Sequence, residues 1–241
     1  MKIVGLTDKG VVRAENQDTF IHDNLSDNTV FAAVLDGMGG AKAGRYASTF
    51  AAETFTRLLR EGAQEVIDRP ATKLHEILCE VNATVYDKAS GHVEYDGMGT
   101  TFVGGVFTDG IGVIANIGDS RAYLIDEDGC HAVTRDHSIV AALVELGEIT
   151  EEEARVHPQR NVITRALGTD EGVEPDLYPI DLSGKRLLLC SDGLYGYFTN
   201  EELGDCIRRH TPEEACEKLV KEACERGGRD NITAIIIDAR S

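Results

Sequence analysis

Between Thr100 and Thr134 four apolar runs follow one another, at 100–107, 111–117, 121–126 and 130–134, with very short connections. Links that short cannot carry a parallel crossover, so the stretch predicts antiparallel hairpins. The rest of the chain must be arranged around that meander. Further strand-like runs fall at 2–7, 17–22, 29–35, 176–181, 186–190 and 233–238, each bounded by turn residues. Two long amphipathic helices separate the third and fourth runs, from near Ala43 to near Arg60 and from near Ala71 to near Lys88. In the second, Leu74, Leu78, Val81 and Val85 recur at spacings of four, three and four. Shorter helices are predicted at about 138–147, 151–156, 200–209 and 212–226. The last opens on Thr211-Pro-Glu-Glu, a capping hydroxyl followed by Pro and acids in the first turn. This order is not the alternation of a doubly wound sheet. It predicts an α+β chain of antiparallel sheets packed together with helices outside. With 241 residues, a single domain over 1–241 with a sizeable core is expected.

Five aspartates sit where apolar runs meet short polar or glycine-rich stretches. Asp36 follows Val30 to Leu35 and heads Asp-Gly-Met-Gly-Gly. Asp119 follows Ile111 to Ile117, Asp192 follows Leu187 to Cys190, Asp230 precedes Ala234 to Ile237, and Asp18 precedes Thr19 to Ile21. One aspartate beside glycine is ordinarily a turn. Several carboxylates at the tips of buried strands are costly unless a cation pairs with them. Hard oxygen ligands without neighbouring His or Cys point to Mg²⁺ or Mn²⁺ rather than Zn²⁺. A two-metal site needs a bridging carboxylate with others around it, the ions ~3.5–4 Å apart. Arg13, five residues before Asp18, supplies the planar donor fork that suits phosphate.

The net charge of −18 argues against nucleic acid, whose binding depends on Lys and Arg, and against an anionic membrane surface. The N-terminus shows no apolar h-region or cleavage pattern, and no window reaches the length of a membrane span, so a cytoplasmic location is expected. The six cysteines contain no CxxC pair and read as small, reduced, mostly core residues on helices. Cys206, His210, Cys216 and Cys224 lie close in sequence, but their spacings fit no zinc pattern. The segment 138–175 interrupts the strands with two short helices and reads as a lid or flap, the alternative being a surface insertion without a role.

Arg13-Ala-Glu-Asn-Gln-Asp18, Asp36-Gly-Met-Gly-Gly40, Gly99-Thr-Thr101, Gly118-Asp-Ser-Arg-Ala122, Ser191-Asp-Gly-Leu194 and Gly228-Arg-Asp-Asn-Ile-Thr233 follow one another across nearly the whole chain. In order and rough spacing they resemble the metal-dependent protein phosphatases (the PPM family, or type 2C), most of all the compact bacterial members. The stretch from Asp136-His-Ser to Thr164-Arg-Ala-Leu-Gly168 resembles their flap.

The resemblance implies two antiparallel β-sheets packed as a sandwich and flanked by helix pairs, a four-layer αββα fold with a small flap insertion. It implies a serine/threonine phosphoprotein phosphatase, in which a metal-bridged water attacks the phosphoryl group directly, without a phosphoenzyme. Asp36 would bridge two Mn²⁺ or Mg²⁺ ions and the Gly37 carbonyl would bind one. Asp192 and Asp230 would complete the other, and Asp18 would assist through water. Asp119 would support a third, weaker ion with Asp192. Arg13 would hold the substrate phosphate, and Asn231 would partner the metal waters. Expected partners are phosphoserine and phosphothreonine proteins and a cognate Ser/Thr kinase, with the enzyme a monomer.

Many eukaryotic relatives place a histidine, a proposed general acid, where Met38 stands here, so that role is vacant or filled by metal-bound water. Neither His22 nor His137 is assigned to it. Asp126-Glu-Asp128-Gly-Cys superficially resembles an aspartyl-phosphate motif, but between two strands it reads as a hairpin turn. A hypothesis of another class is a non-catalytic, phosphoprotein-binding pseudophosphatase or scaffold. Such members should lose metal aspartates first, and here all are present.

Overall fold

The computed structural model describes residues 1–240, the side chains of Ala41 and Lys42 excepted. Ser241, the last residue of the expected domain, lies outside the described residues. Among the described residues eleven strands form two antiparallel sheets. The first runs, in spatial order, β1 (Lys2–Asp8), β11 (Ile232–Asp238), β10 (Arg186–Cys190), β7 (Arg121–Ile125) and β8 (Cys130–Ala132). The second runs β2 (Asp18–Asn24), β3 (Thr29–Met38), β5 (Phe102–Thr108), β6 (Ile111–Ile117) and β9 (Asp176–Asp181), with β4 (Gly99–Thr100) on the end of β3.

Side-chain alternation explains why so many strands are apolar throughout. Val30, Ala32 and Val34 of β3 meet Leu187 and Leu189 of β10 and Ile235 and Ile237 of β11 between the sheets. The alternate residues of β3, Phe31, Ala33 and Leu35, face outward onto α1 (Gly40–Glu61) and α3 (Pro70–Ser90). On the other side Leu188, Cys190, Ala234 and Ile236 pack under α7 (Asn200–Arg209) and α8 (Pro212–Glu225). Successive side chains point to opposite faces, and both faces are buried, so the strands read as continuous apolar runs. Helix, sheet, sheet and helix form four layers, as the resemblance implies.

Four details differ from the sequence reading. The link from β6 to β7, residues 118–120, is too short for a crossover, yet it is no hairpin. It passes from one sheet to the other, with Gly118 at φ +105°. The expected strand 100–107 breaks at Thr101, whose hydroxyl turns inward to Ser120 at 2.7 Å. A short helix α2 (Ala63–Asp68) follows α1, and another, α6 (Asp192–Tyr195), begins on Asp192 itself. The Asp126–Gly129 stretch is the expected turn: the Asp126 carboxylate accepts from the amides of Asp128 and Gly129 at 3.0 and 3.2 Å.

The flap segment carries α4 (Ile139–Glu145), capped by Ser138, and α5 (Glu151–Val156), held by a capping box on Thr150. It is sewn to the body by isolated bridges pairing Ser138 with Ile163 and Thr100 with Leu167.

Candidate active site

The register of β2 on β3 sets Asp18 directly opposite Asp36. Like charges facing each other across strands repel, and both stand at one end of the sandwich. The 118–120 link delivers Asp119 to the same end from between the sheets. Asp192 arrives at the exit of β10 and Asp230 at the entry to β11. Asp36, Asp119, Asp192, Asp230, Arg13 and Asn231 line one cleft of about 500 Å³, and Gly37 lies in its wall. Asp18 sits beneath, only 7% exposed. The structure thus gathers every site residue the sequence singled out. A larger hollow of about 640 Å³ between β2 and α1 brings no such cluster together. The guanidinium groups of its Arg57 and Arg60 are already paired with Glu61 and Asp23.

The aspartates are hard to ionise as they stand. Burial, then the charge of Asp192, raises Asp119 to about 8. Burial raises Asp18 to about 7, against hydrogen bonds that favour its charged form. Asp192 stands at about 6, raised by burial and then by Asp230. Burial and the neighbouring aspartates, Asp18 first, push Asp36 well above the usual carboxylate range. Carboxyl groups confined together in this way hold protons unless another positive charge replaces them.

Two buried oxygens, Oδ1 of Asp18 and Oδ1 of Asp192, have no hydrogen-bond partner among the described residues. Buried carboxylate oxygens without a partner are rare and call for an ion or water. Oxygen donors alone suit Mg²⁺ or Mn²⁺. The residues therefore fit the metal centre that the resemblance implies.

The supporting residues are where sequence reasoning fell short. Asp18 is clamped by two hydroxyls: Ser191 Oγ and Thr233 Oγ1 both donate to its Oδ2, at 2.7 and 2.6 Å. Thr233 also shares a 2.7 Å hydrogen bond with Thr7. With Oδ2 spent, Oδ1 is the atom left for a cation or its water. Thr101 Oγ1 accepts from the Asp36 amide at 2.9 Å, fixing the backbone of the central carboxylate. All of these residues except Thr7 lie inside the quoted motifs, which were the only signal available for them.

Asn231 also organises the backbone around the cleft. Its side-chain amide donates to the carbonyls of Lys9 and Glu15, both at 2.9 Å, and its oxygen accepts from the Gln17 amide at 2.8 Å. These bonds pin the 9–17 loop from the cleft wall, which Asn231 lines. That loop carries Arg13, whose Nη2 donates to Asp230 Oδ2 at 2.6 Å. A half-exposed arginine parked on an aspartate keeps its fork at the cleft mouth. The cleft lining contains Met38 but neither cysteine nor histidine among the described residues. His137 is buried elsewhere, accepting from the Gly118 amide at 3.0 Å and facing Asp176 at 3.2 Å. His22 stacks on Phe20. The flap contributes Asn161 and Ile163 to the wall, two residues that sequence reasoning did not select. The four sequence-adjacent residues Cys206, His210, Cys216 and Cys224 do not gather. The Cys216 thiol lies on the Val4 carbonyl and the Cys224 thiol on Asp8.

Residues 11–231 match the family model described as protein phosphatase 2C. The chain is 35% identical over 239 residues to the serine/threonine phosphatase Stp of Listeria innocua, covering 96% of this chain and 93% of that protein. It superposes on the crystal structure of the serine/threonine phosphatase Stp1 from Staphylococcus aureus with a TM-score of 0.89 at 36% identity, over 98% of this chain and 93% of that one. On the catalytic domain of the serine/threonine phosphatase PstP in complex with two manganese ions the TM-score is 0.83 at 31% identity, over 98% and 97% of the two chains.

Proposed function

Because this chain belongs to the protein phosphatase 2C family and is a metal-dependent serine/threonine phosphatase, we propose that its cleft hydrolyses phosphoserine and phosphothreonine esters at two divalent cations. Asp36 would hold both ions, the Gly37 carbonyl one of them and Asp192 and Asp230 the other. Asp18 would assist through water, and Asp119 with Asp192 would support a third, weaker position. Mn²⁺ and Mg²⁺ are the ions of choice. The observation that carries this reading is the pair of buried, partnerless oxygens on Asp18 and Asp192 inside a group of carboxyls too crowded to ionise together.

Cations bound there supply Lewis acidity toward the phosphoryl oxygens and toward water. The chain's own residues supply the rest. Arg13 exchanges its Asp230 partner for the substrate's phosphoryl oxygens, where its donor fork stabilises the charge that spreads over them in transfer. Water is the nucleophile and no phosphoenzyme forms, since the carboxylates are committed to cations and the lining offers no cysteine or histidine. Met38, in the cleft wall, has no proton to give the leaving oxygen.

The chain works as a single-domain monomer in the cytoplasm, opposing a Ser/Thr protein kinase, and its flap segment 138–175 contributes Asn161 and Ile163 to the cleft wall. A net charge of −18 disfavours nucleic acid and anionic lipid as partners. The test is phosphate release from a phosphothreonine peptide by pure protein. Turnover is expected with Mn²⁺ and none with excess chelator. Peptide binding without metal-dependent release would instead make the chain a phosphoprotein-binding module.

A further inference from the structure

A second group of metal-ligating side chains lies outside the cleft. His75 and Cys79 stand one turn apart on the same face of α3. Glu174 comes from the segment that returns from the flap into β9, and its Oε2 lies 2.6 Å from His75 Nε2. The Cys79 sulfur is 3.8 Å from His75 Nδ1. One ligand atom from each residue falls within 4.8 Å of the other two, the only such trio among the described residues.

The chain builds this juxtaposition deliberately. Buried Asn82, on the same face of α3, donates to the carbonyls of Asp170 and Glu171 at 3.0 and 3.2 Å and accepts from the Gly168 amide at 2.8 Å. Arg165 holds the Glu174 carbonyl at 2.9 Å. The return segment is thus docked on α3 largely by groups other than the trio, to which the Cys79 thiol adds a 3.8 Å contact with the Val173 carbonyl.

We propose that His75, Cys79 and Glu174 form a binding site for a thiophilic divalent cation, Zn²⁺ being the best match, separate from the all-oxygen cleft. Thiolate, imidazole and carboxylate together make a zinc-type donor set, whereas Mg²⁺ and Mn²⁺ prefer oxygen alone. Bond lengths to Zn²⁺ place tetrahedral ligands about 3.3–3.8 Å from one another. The Cys79 sulfur is already at that separation from Nδ1, whereas Glu174 now sits on Nε2, so with Nδ1 as the ligand nitrogen the exposed Glu174 carboxylate swings off Nε2 to complete the set. The imidazole offers only one of its two nitrogens, and a water fills the fourth position. On binding, the Cys79 thiol gives up its proton to solvent. The bound ion ties α3 to the end of the flap segment.

Co²⁺ is the probe, because thiolate ligation gives a charge-transfer absorption that oxygen ligands do not. The full chain is loaded with excess Mg²⁺ to occupy the cleft and titrated with Co²⁺. The absorption is expected to saturate at one equivalent, to vanish on adding Zn²⁺, and to be lost in Cys79→Ser and in His75→Ala. Both variants should keep their Mg²⁺-dependent phosphatase activity, showing that they fold. No band in the unaltered chain, or a band that persists in either variant, overturns the site.

Discussion

Asp18 illustrates how one side chain's usefulness depends on its neighbours' hydroxyls. Ser191 and Thr233 consume its Oδ2 and leave Oδ1 facing the cleft. Removing either donor frees the carboxylate to rotate and weakens its grip on a cation or its water. Ser191→Ala and Thr233→Val are each expected to weaken Mn²⁺ binding roughly 10–100-fold, the usual cost of losing an orienting partner of a metal site. Calorimetric titration with Mn²⁺ reads this directly, and the chain should stay folded. Arg13 acts on the substrate instead. Losing a charge-assisted hydrogen bond costs about 1.5–3 kcal/mol, so Arg13→Ala should raise KM for a phosphopeptide roughly 10–100-fold. Its Mn²⁺ affinity should change little. An unchanged KM would place the phosphate elsewhere. The five carboxylates were legible in the sequence because a buried charge is expensive wherever it occurs. The hydroxyls that aim them were not, because a serine or threonine beside a strand looks the same whether or not it donates to an aspartate.

The elements hold the site by close backbone contact. A Cβ on Gly44 of α1 would lie 2.8 Å from the Gly37 carbonyl oxygen, and one on Gly37 would lie 2.1 Å from that of Gly44. The first turn of α1 therefore rests directly on the residue after Asp36. Gly44→Ala should force the helix off this support, costing about 1–3 kcal/mol as overpacking does. For a chain of this length that lowers Tm by about 2–4 °C per kcal/mol, and Mn²⁺ binding should weaken with it. Differential scanning calorimetry checks the first effect and metal titration the second. Most elements could be read from the sequence, since two buried faces make continuous apolar strands and long amphipathic helices stand out. The β6–β7 link could not. Its shortness suggested a hairpin, and only the packing of two sheets against each other sends Gly118 to Ser120 across the sandwich and brings Asp119 to the cleft. The break at Thr101 escaped notice for the same reason, because its partners Asp36 and Ser120 are distant in sequence.

At the scale of the molecule, the crowded carboxyls link stability, pH and metal. Asp18, Asp119 and Asp192 have folded-state values of about 7, 8 and 6, raised above their unfolded values by burial, and Asp36 is raised as well. Between the ordinary carboxylate range near pH ~4 and these values the folded state binds more protons than the unfolded state. Its stability therefore falls as pH rises through that window. Without metal, the melting temperature should drop from pH ~5 to pH ~8, and Mn²⁺ should restore it most at the alkaline end, where cations no longer compete with protons. Asp238 works in the opposite sense at the far side of the first sheet. Burial would raise it, but hydrogen bonds from Arg240 and Arg186 hold it at about 2. Its contribution is present above pH ~4 and is lost as pH falls toward 2. The most direct test of the whole account is a count of tightly bound Mn²⁺ per chain, made alongside phosphopeptide turnover, in the unaltered protein and in Asp36→Asn. Two tight ions with turnover, and loss of both in the variant while it remains folded, are the predicted results. Near-normal turnover by Asp36→Asn at saturating Mn²⁺ would contradict a centre bridged by Asp36.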